Sequence, residues 1–304
     1  MLSPVVNGSI RVALAAVIWG AAYPLTKLVL VDAPPIILGF LRFFIAALIF
    51  VAFTGQLPLV SIPKTERRVF FKLAFWGVFL LILGMNFGLI WAPGMAASVL
   101  SGTPPLFTVI LAAIFLGEHM QTRHFISIIL ALAGLALLSK DFSLQNDQLE
   151  NWKIWAGCLL TLVPQFSWAM YGISGKKLSQ NYHWSVICRE TFALGSLMLL
   201  PFAAIEAYLS PPIEFSGQTL ATLAYLAVLN SVVTYSLWNS ALKIIPVSTA
   251  SFLIYLQPVS GSILSYFLFD EKPGMRGATG IALIFLALTI VLWRRKNRNE
   301  ILHK

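Results

Sequence analysis

Charge is what this chain has least of. Asp, Glu, Lys and Arg supply 11% of its 304 residues, against a hydrophobic fraction of 58%. A soluble domain uses about a quarter of its residues as charges to cover its surface, so a soluble protein is excluded and lipid becomes the solvent. Cysteine is almost as scarce. Cys158 and Cys188 both fall inside apolar runs, which excludes a disulfide-stapled extracellular fold. Histidine is rare too, and His119 and His124 stand five apart around a basic residue, a spacing that does not bring two imidazoles onto one helix face for a metal. No Ser-His-Asp set, aspartate pair or phosphate-cradling glycine loop stands out. No catalytic residue, metal or cofactor is therefore expected. This leaves a polytopic membrane enzyme as a weak alternative, and the lack of a ring-forming filter does the same for a channel.

What is present is apolar sequence in long runs. A bilayer core about 30 Å thick takes ~20 helical residues to cross, and open sheets are excluded there because their edges would leave backbone groups unpaired. Ten spans can be counted: 11–31, 35–53, 73–91, 95–116, 124–140, 153–173, 184–205, 218–240, 247–268 and 277–293. The first is too long for a signal-peptide core and lacks a small-residue cleavage site after it, so it is expected to remain as a helix. The expected fold class is an all-α polytopic membrane protein. Of 21 basic residues, 14 fall in loops and tails on the side of the N-terminus, including the tail "RRKNRNEILHK". The positive-inside rule then places both termini in the cytoplasm and the protein in the cell (inner) membrane. Attraction to anionic lipid heads accounts for the net charge of +9, with membrane lipid as partner and no nucleic acid.

The chain also repeats itself. Residues 86–118 shifted by 153 align without a gap on 239–271, with ten of 33 positions identical, among them Asn86/Asn239, Pro93/Pro246, Pro105/Pro258 and Glu118/Glu271. Upstream the register drifts by a few residues, pairing Trp19 with Trp168, Lys27 with Lys176 and Arg42 with Arg189. Five spans per half is odd, so the second half enters the bilayer from the opposite face. Inverted repeats are a plan of secondary transporters, because exchanging the conformations of two similar halves turns an inward-open cavity into an outward-open one. The domain reading is a first repeat over 1–140, an outer linker over 141–152, a second repeat over 153–293 and a basic cytoplasmic tail over 294–304.

Three pieces, "WGAAYPLTK" (19–27), "PPIILGFLRF" (34–43) and "IFLGE" (114–118), with the two-fold five-helix plan, resemble the EamA family of the drug/metabolite transporter superfamily. The second half carries "WAMYGISGK" and "CRETF" where the first has the stronger match. The resemblance implies a ten-helix carrier of small metabolites, often an exporter, and does not imply a cargo.

Cargo contacts are sought among polar and aromatic groups at midplane depth, since a cavity needs several and a lipid-facing surface none. The candidate substrate-binding residues are Tyr23, Arg42, Asn86, Thr103, Gln165, Trp168, Tyr235, Asn239, Tyr255 and Gln257. Asn230 belongs to the same polar group. Arg42 is the sharpest, lying ~10 Å below the outer face at 1.5 Å per residue, where an intramembrane cation suits an anionic group such as a carboxylate. One buried arginine, amides and an aromatic wall favour an amino acid or related compound. A phosphorylated sugar would want several midplane cations and a hydrophobic drug few polar contacts, which leaves those carriers as alternatives. Glu190, well inside a span, is the proton-coupling candidate, with a local pair to Arg189 as the competing role. Pro105 and Pro258 are candidate helix hinges, because proline removes a helix bond and kinks the chain. Lys27 is expected to snorkel to the outer face, and Trp238 to join the inner aromatic belt.

Overall fold

A computed structural model describes residues 4–60, 62–116, 122–145, 150–210, 215–245, 250, 253–254 and 256–292. Among them there is no strand, and the helices fall into ten segments. These are α1 (Pro4–Val29), α2 (Pro35–Thr54), α3 (Lys64–Trp91), α4 (Gly94–Leu100 and Pro104–Leu116), α5 (Thr122–Gln145), α6 (Asn151–Leu160 and Val163–Asn181), α7 (Trp184–Leu209), α8 (Gly217–Ala241), α9 (Leu256–Phe269) and α10 (Met275–Leu292). Of these, α1, α2, α3, α7 and α8 are long and apolar enough to cross a membrane. Side chains such as Phe53, Ile129, Leu197 and Phe267 are apolar and exposed, as a surface solvated by lipid tails requires.

Local chemistry sets the ends. Pro34 and Pro35 open α2, where a missing N–H costs no helix bond, and Gly55 closes it at φ +63° with its N–H on the Val51 carbonyl. Pro93 caps α4. That helix then breaks at Ser101–Thr103 and restarts with Pro104 and Pro105 as its first residues. Pro105 thus follows an interruption of the helix. Its repeat mate Pro258 is likewise near the start of a helical piece, two residues after Leu256, and Ile254 just before it is a turn residue. Pro246, Glu118 and Tyr255 lie outside the described residues.

The packing shows the inverted repeat directly. Helices α2 and α7, α4 and α9, and α5 and α10 are repeat mates, and each pair packs against itself. The contact of α1 with α8 is matched by α6 with α3, that of α1 with α9 by α6 with α4, and that of α2 with α8 by α7 with α3. A two-fold axis relating the halves runs through the three self-paired contacts. In the α5–α10 contact Gly134 and Gly280 meet: a Cβ added to either would come within 2.6 Å of the other's carbonyl oxygen. Two wide turns obey the same symmetry, since α3 and α8 each contain a π-helical stretch, at Phe75–Leu80 and Tyr225–Val233.

At the face holding the α1–α2, α3–α4 and α9–α10 connections, four helix N-termini receive a carboxylate from the opposite half. Glu206 accepts from the N–H groups of Ile36 (2.9 Å) and Ile37 (2.8 Å) at the start of α2. Glu271 accepts from Gly94 (2.8 Å) and Met95 (2.5 Å) at the start of α4. Asp141 accepts from Gly274 (2.7 Å), just ahead of α10. Asp32 takes the hydroxyls of Ser216 and Thr219 at the start of α8. Helix N-termini carry about half a positive charge, so each contact is electrostatically matched. Lys27 complements them: its half-buried side chain reaches this same face and ends on the carbonyls of Leu89 and Ala92 at the C-terminal end of α3.

Candidate functional site

Seven helices, α1, α2, α3, α4, α6, α8 and α9, enclose a cavity of ≈ 60 Å³. The first wall comes from α1 and α2, with Trp19, Ala22, Tyr23 and Arg42; α3 adds Leu81 and Met85, and the α4 break adds Ser101 and Pro104. From the second half come Pro164, Gln165 and Trp168 of α6, Asn230 and Tyr235 of α8, and Gln257 of α9. Trp19 and Trp168 are repeat mates, as are Pro104 and Gln257. The cavity therefore sits where the two halves present equivalent positions to each other.

Arg42 is buried, with 4% of its surface exposed. Its Nε donates to Ser231 Oγ at 2.9 Å and its Nη2 to Asn230 Oδ1 at 2.7 Å. Its guanidinium carbon lies 4.9 Å from the centre of the Phe43 ring. No Asp or Glu pairs with it among the described residues, and Nη1 has no hydrogen-bond partner there. Both of its partners come from the π-helical stretch of α8. A π turn is wider than an α turn and leaves carbonyls free of the regular ladder, which is why such turns recur at functional sites. The Asn230 carbonyl is used in this way, accepting from Trp19 Nε1 at 3.2 Å, while its amide nitrogen donates to the Ile18 carbonyl at 2.9 Å. The matching π stretch in α3 offers the Gly77 carbonyl, which accepts from the Tyr235 hydroxyl at 3.1 Å.

The aromatic side of the cavity is one continuous cluster. Trp19 meets Trp168 edge-on at 5.0 Å between centroids, and Tyr235 meets both tryptophans edge-on at 5.8 and 5.6 Å. Behind them Trp238 packs against both, at 5.7 and 5.5 Å. It is 3% exposed and so is a core residue, not the belt residue that its position near a span end suggests. Across the cavity Gln165 Nε2 donates to Tyr23 Oη at 2.7 Å and to the Thr161 carbonyl at 3.0 Å.

Of the ten candidates from sequence, Tyr23, Arg42, Gln165, Trp168, Tyr235 and Gln257 line the cavity together. Three others are spent locally. Asn86 donates to the Pro35 carbonyl at 2.7 Å, Thr103 to the Leu100 carbonyl at 2.7 Å, and Asn239 to the Tyr235 carbonyl at 2.9 Å. The remaining one, Tyr255, lies outside the described residues. Glu190 is away from the cavity, bound at 2.8 Å to Arg189, with both side chains fully buried. Its second oxygen accepts from Leu59 N at 2.9 Å, and Arg189 goes on to Thr54 and Gln56, so the pair fastens α7 to the α2–α3 connection. Ser231 was missed by sequence reasoning. It sits in the apolar run "AVLNSVV", and the polar pair Asn-Ser there was the available signal.

The EamA-like transporter family model matches residues 6–140 and again 155–293. The chain belongs to the EamA-like transporter family. As an EamA-like protein it is a membrane-embedded transporter of a small molecule and not an enzyme. An uncharacterized transporter of Archaeoglobus fulgidus is 29% identical over 88% of this chain and 91% of its own length. A probable amino-acid metabolite efflux pump of Escherichia coli is 26% identical over 93% of the chain and 95% of its own length. A probable terminal-alkyne amino-acid exporter of Streptantibioticus cattleyicolor is 25% identical over 70% of each. A solved crystal structure superposes with a TM-score of 0.62 at 18% identity, covering 93% of this chain and 95% of the other, which places the EamA-like fold among known architectures.

Proposed function

We propose that this EamA-like transporter carries small carboxylate-bearing metabolites, amino acids and their relatives, outward across the cell (inner) membrane, with both termini in the cytoplasm. One observation carries the reading: a buried guanidinium, held by two neutral side chains of α8, lines the cavity between the halves with no acidic partner among the described residues. A charge in that position is costly unless something neutralises it, and an intramembrane cation lining a cavity is best accounted for by an anionic ligand. Trp19, Trp168 and Tyr235 supply an apolar wall for the rest of the cargo. The names of the relatives from E. coli and S. cattleyicolor support amino-acid-like cargo and export.

Reconstituted vesicles loaded with a mixed pool of labelled amino acids and metabolites, with and without a pH gradient, test the reading. Saturable movement of a carboxylate compound is expected, and Arg42→Ala should lower its kcat/KM by at least about a hundredfold, the loss of a charge-assisted contact of roughly 3 kcal/mol, while the variant keeps its melting temperature within a few degrees. Undiminished carboxylate transport by a folded Arg42→Ala would sink the assignment.

A further inference from the structure

The cavity has a fixed charge, and no described acidic residue compensates it. Arg42 contributes one positive unit, and no carboxylate is found among the lining residues. The described acids that could have offset it are occupied elsewhere. Glu190 is paired with Arg189, and Glu206, Glu271, Asp141 and Asp32 sit on helix N-termini at one face. The segment 246–255, only partly described, contains no Asp or Glu. The polar lining residues left to meet an ammonium are neutral: Tyr23, Ser101, Gln165, Asn230, Tyr235 and Gln257.

We infer that the site selects its cargo by net charge, preferring a monoanionic carboxylate, such as an N-acylated, deaminated or 2-hydroxy form of an amino acid, over the zwitterion of the same skeleton. The inference rests on the reading above that the cavity is the cargo site and that Arg42 takes a carboxylate. In a zwitterion the ammonium is two bonds from the carboxylate carbon, so a carboxylate seated on Arg42 carries its own cation into the guanidinium's field. At the reduced dielectric of a buried site that repulsion is far stronger than in water, and neutral amides offset only part of it. A monoanion cancels the buried charge, whereas a zwitterion enters and leaves the total at plus one.

Matched ligand sets test this with the full-length protein in detergent and in vesicles. On the skeletons of alanine, leucine and phenylalanine, the zwitterion, the N-acetyl anion and the carboxamide, which keeps only the ammonium, are compared by ligand-induced thermal shift and by competition for transport. On any skeleton that binds, the N-acetyl anion should compete about tenfold better than the zwitterion, and the carboxamide should not compete. Equal or tighter binding of the zwitterion overturns the inference while leaving the carboxylate reading intact. Binding of the carboxamide as strong as that of the anion, or of no form at all, overturns both. Asn230→Asp gives an independent arm, because it places a carboxylate of almost unchanged shape against Arg42 Nη2 and neutralises the cavity. The order of anion and zwitterion should then reverse, and an unchanged order in a folded variant also overturns the inference. Should that variant fail to fold, Ser231→Asp brings the same charge to Arg42 Nε and is read in the same way.

Discussion

At the scale of single residues, the two mated arginines show how burial and partners decide a side chain's work. Arg42 and Arg189 occupy equivalent helices, α2 and α7, and both are buried. Arg189 has a carboxylate next to it and further acceptors in Thr54 and Gln56, so its charge is consumed in holding α7 to the α2–α3 connection. Among the described residues Arg42 has only neutral partners, and it lines the cavity. Glu190→Gln should therefore act on stability: leaving Arg189 buried without its carboxylate costs on the order of 3–5 kcal/mol, seen as a lower melting temperature in detergent. Transport measured well below that temperature should respond to a pH gradient as the native protein's does. A changed response in the folded variant would return Glu190 to a coupling role.

At the scale of elements, close backbone approach and widened turns do what long apolar helices alone do not. The α5–α10 pair crosses at Gly134 and Gly280 with no room for a side chain. Gly134→Val should destabilise the fold by at least the ~1–3 kcal/mol typical of overpacking, since the obstacle is backbone and cannot rotate away; reduced yield of folded protein and a lower melting temperature are the readouts. The helices themselves were legible in the sequence, because a bilayer demands a minimum apolar length and the chain has little charge to interrupt it. Helix α3 nevertheless begins at Lys64, nine residues before its apolar run, since an amphipathic stretch carrying Lys64, Arg67, Arg68 and Lys72 extends past the apolar core. The midplane polar residues were legible as a group. Which of them share a cavity was not, because Asn86, Thr103, Asn239 and Gln165 all donate to a backbone carbonyl, and only the packing of the helices places Gln165 on the cavity wall. The π stretches left no readable mark either. They are ordinary apolar sequence, and their extra residue per turn is stabilised by the tertiary contacts of Asn230, Ser231 and Gly77.

At the scale of the whole molecule, the halves are joined on one face by carboxylates reaching across to helix N-termini. In the sequence Glu118 and Glu271 follow two equivalent apolar runs and precede the next, which suggests caps for the helices that follow them. Glu271 instead caps α4 of the other half. Burial raises its pKa above the usual carboxylate value of 4.5, opposed by the two N–H bonds and by the nearby Lys27. A carboxyl whose folded pKa lies above its unfolded one binds its proton more tightly when folded, so this contribution to stability is fully present below pH 4.5 and is lost as pH rises through the raised value. The melting temperature should accordingly fall over that window in the native protein, and the fall should be smaller in Glu271→Gln. Identical pH profiles would exclude Glu271 as its source. The two-fold relation between the halves carries a different consequence. In a pair of identical chains assembled about such an axis, one substitution would alter both sides of the contact at once, and every gain on one side would be imposed on the other. Within a single chain the two copies vary separately. That freedom is what lets an arginine in one half keep its charge open to the cavity while its counterpart in the other is locked to a neighbouring glutamate, a division of labour closed to any symmetric dimer.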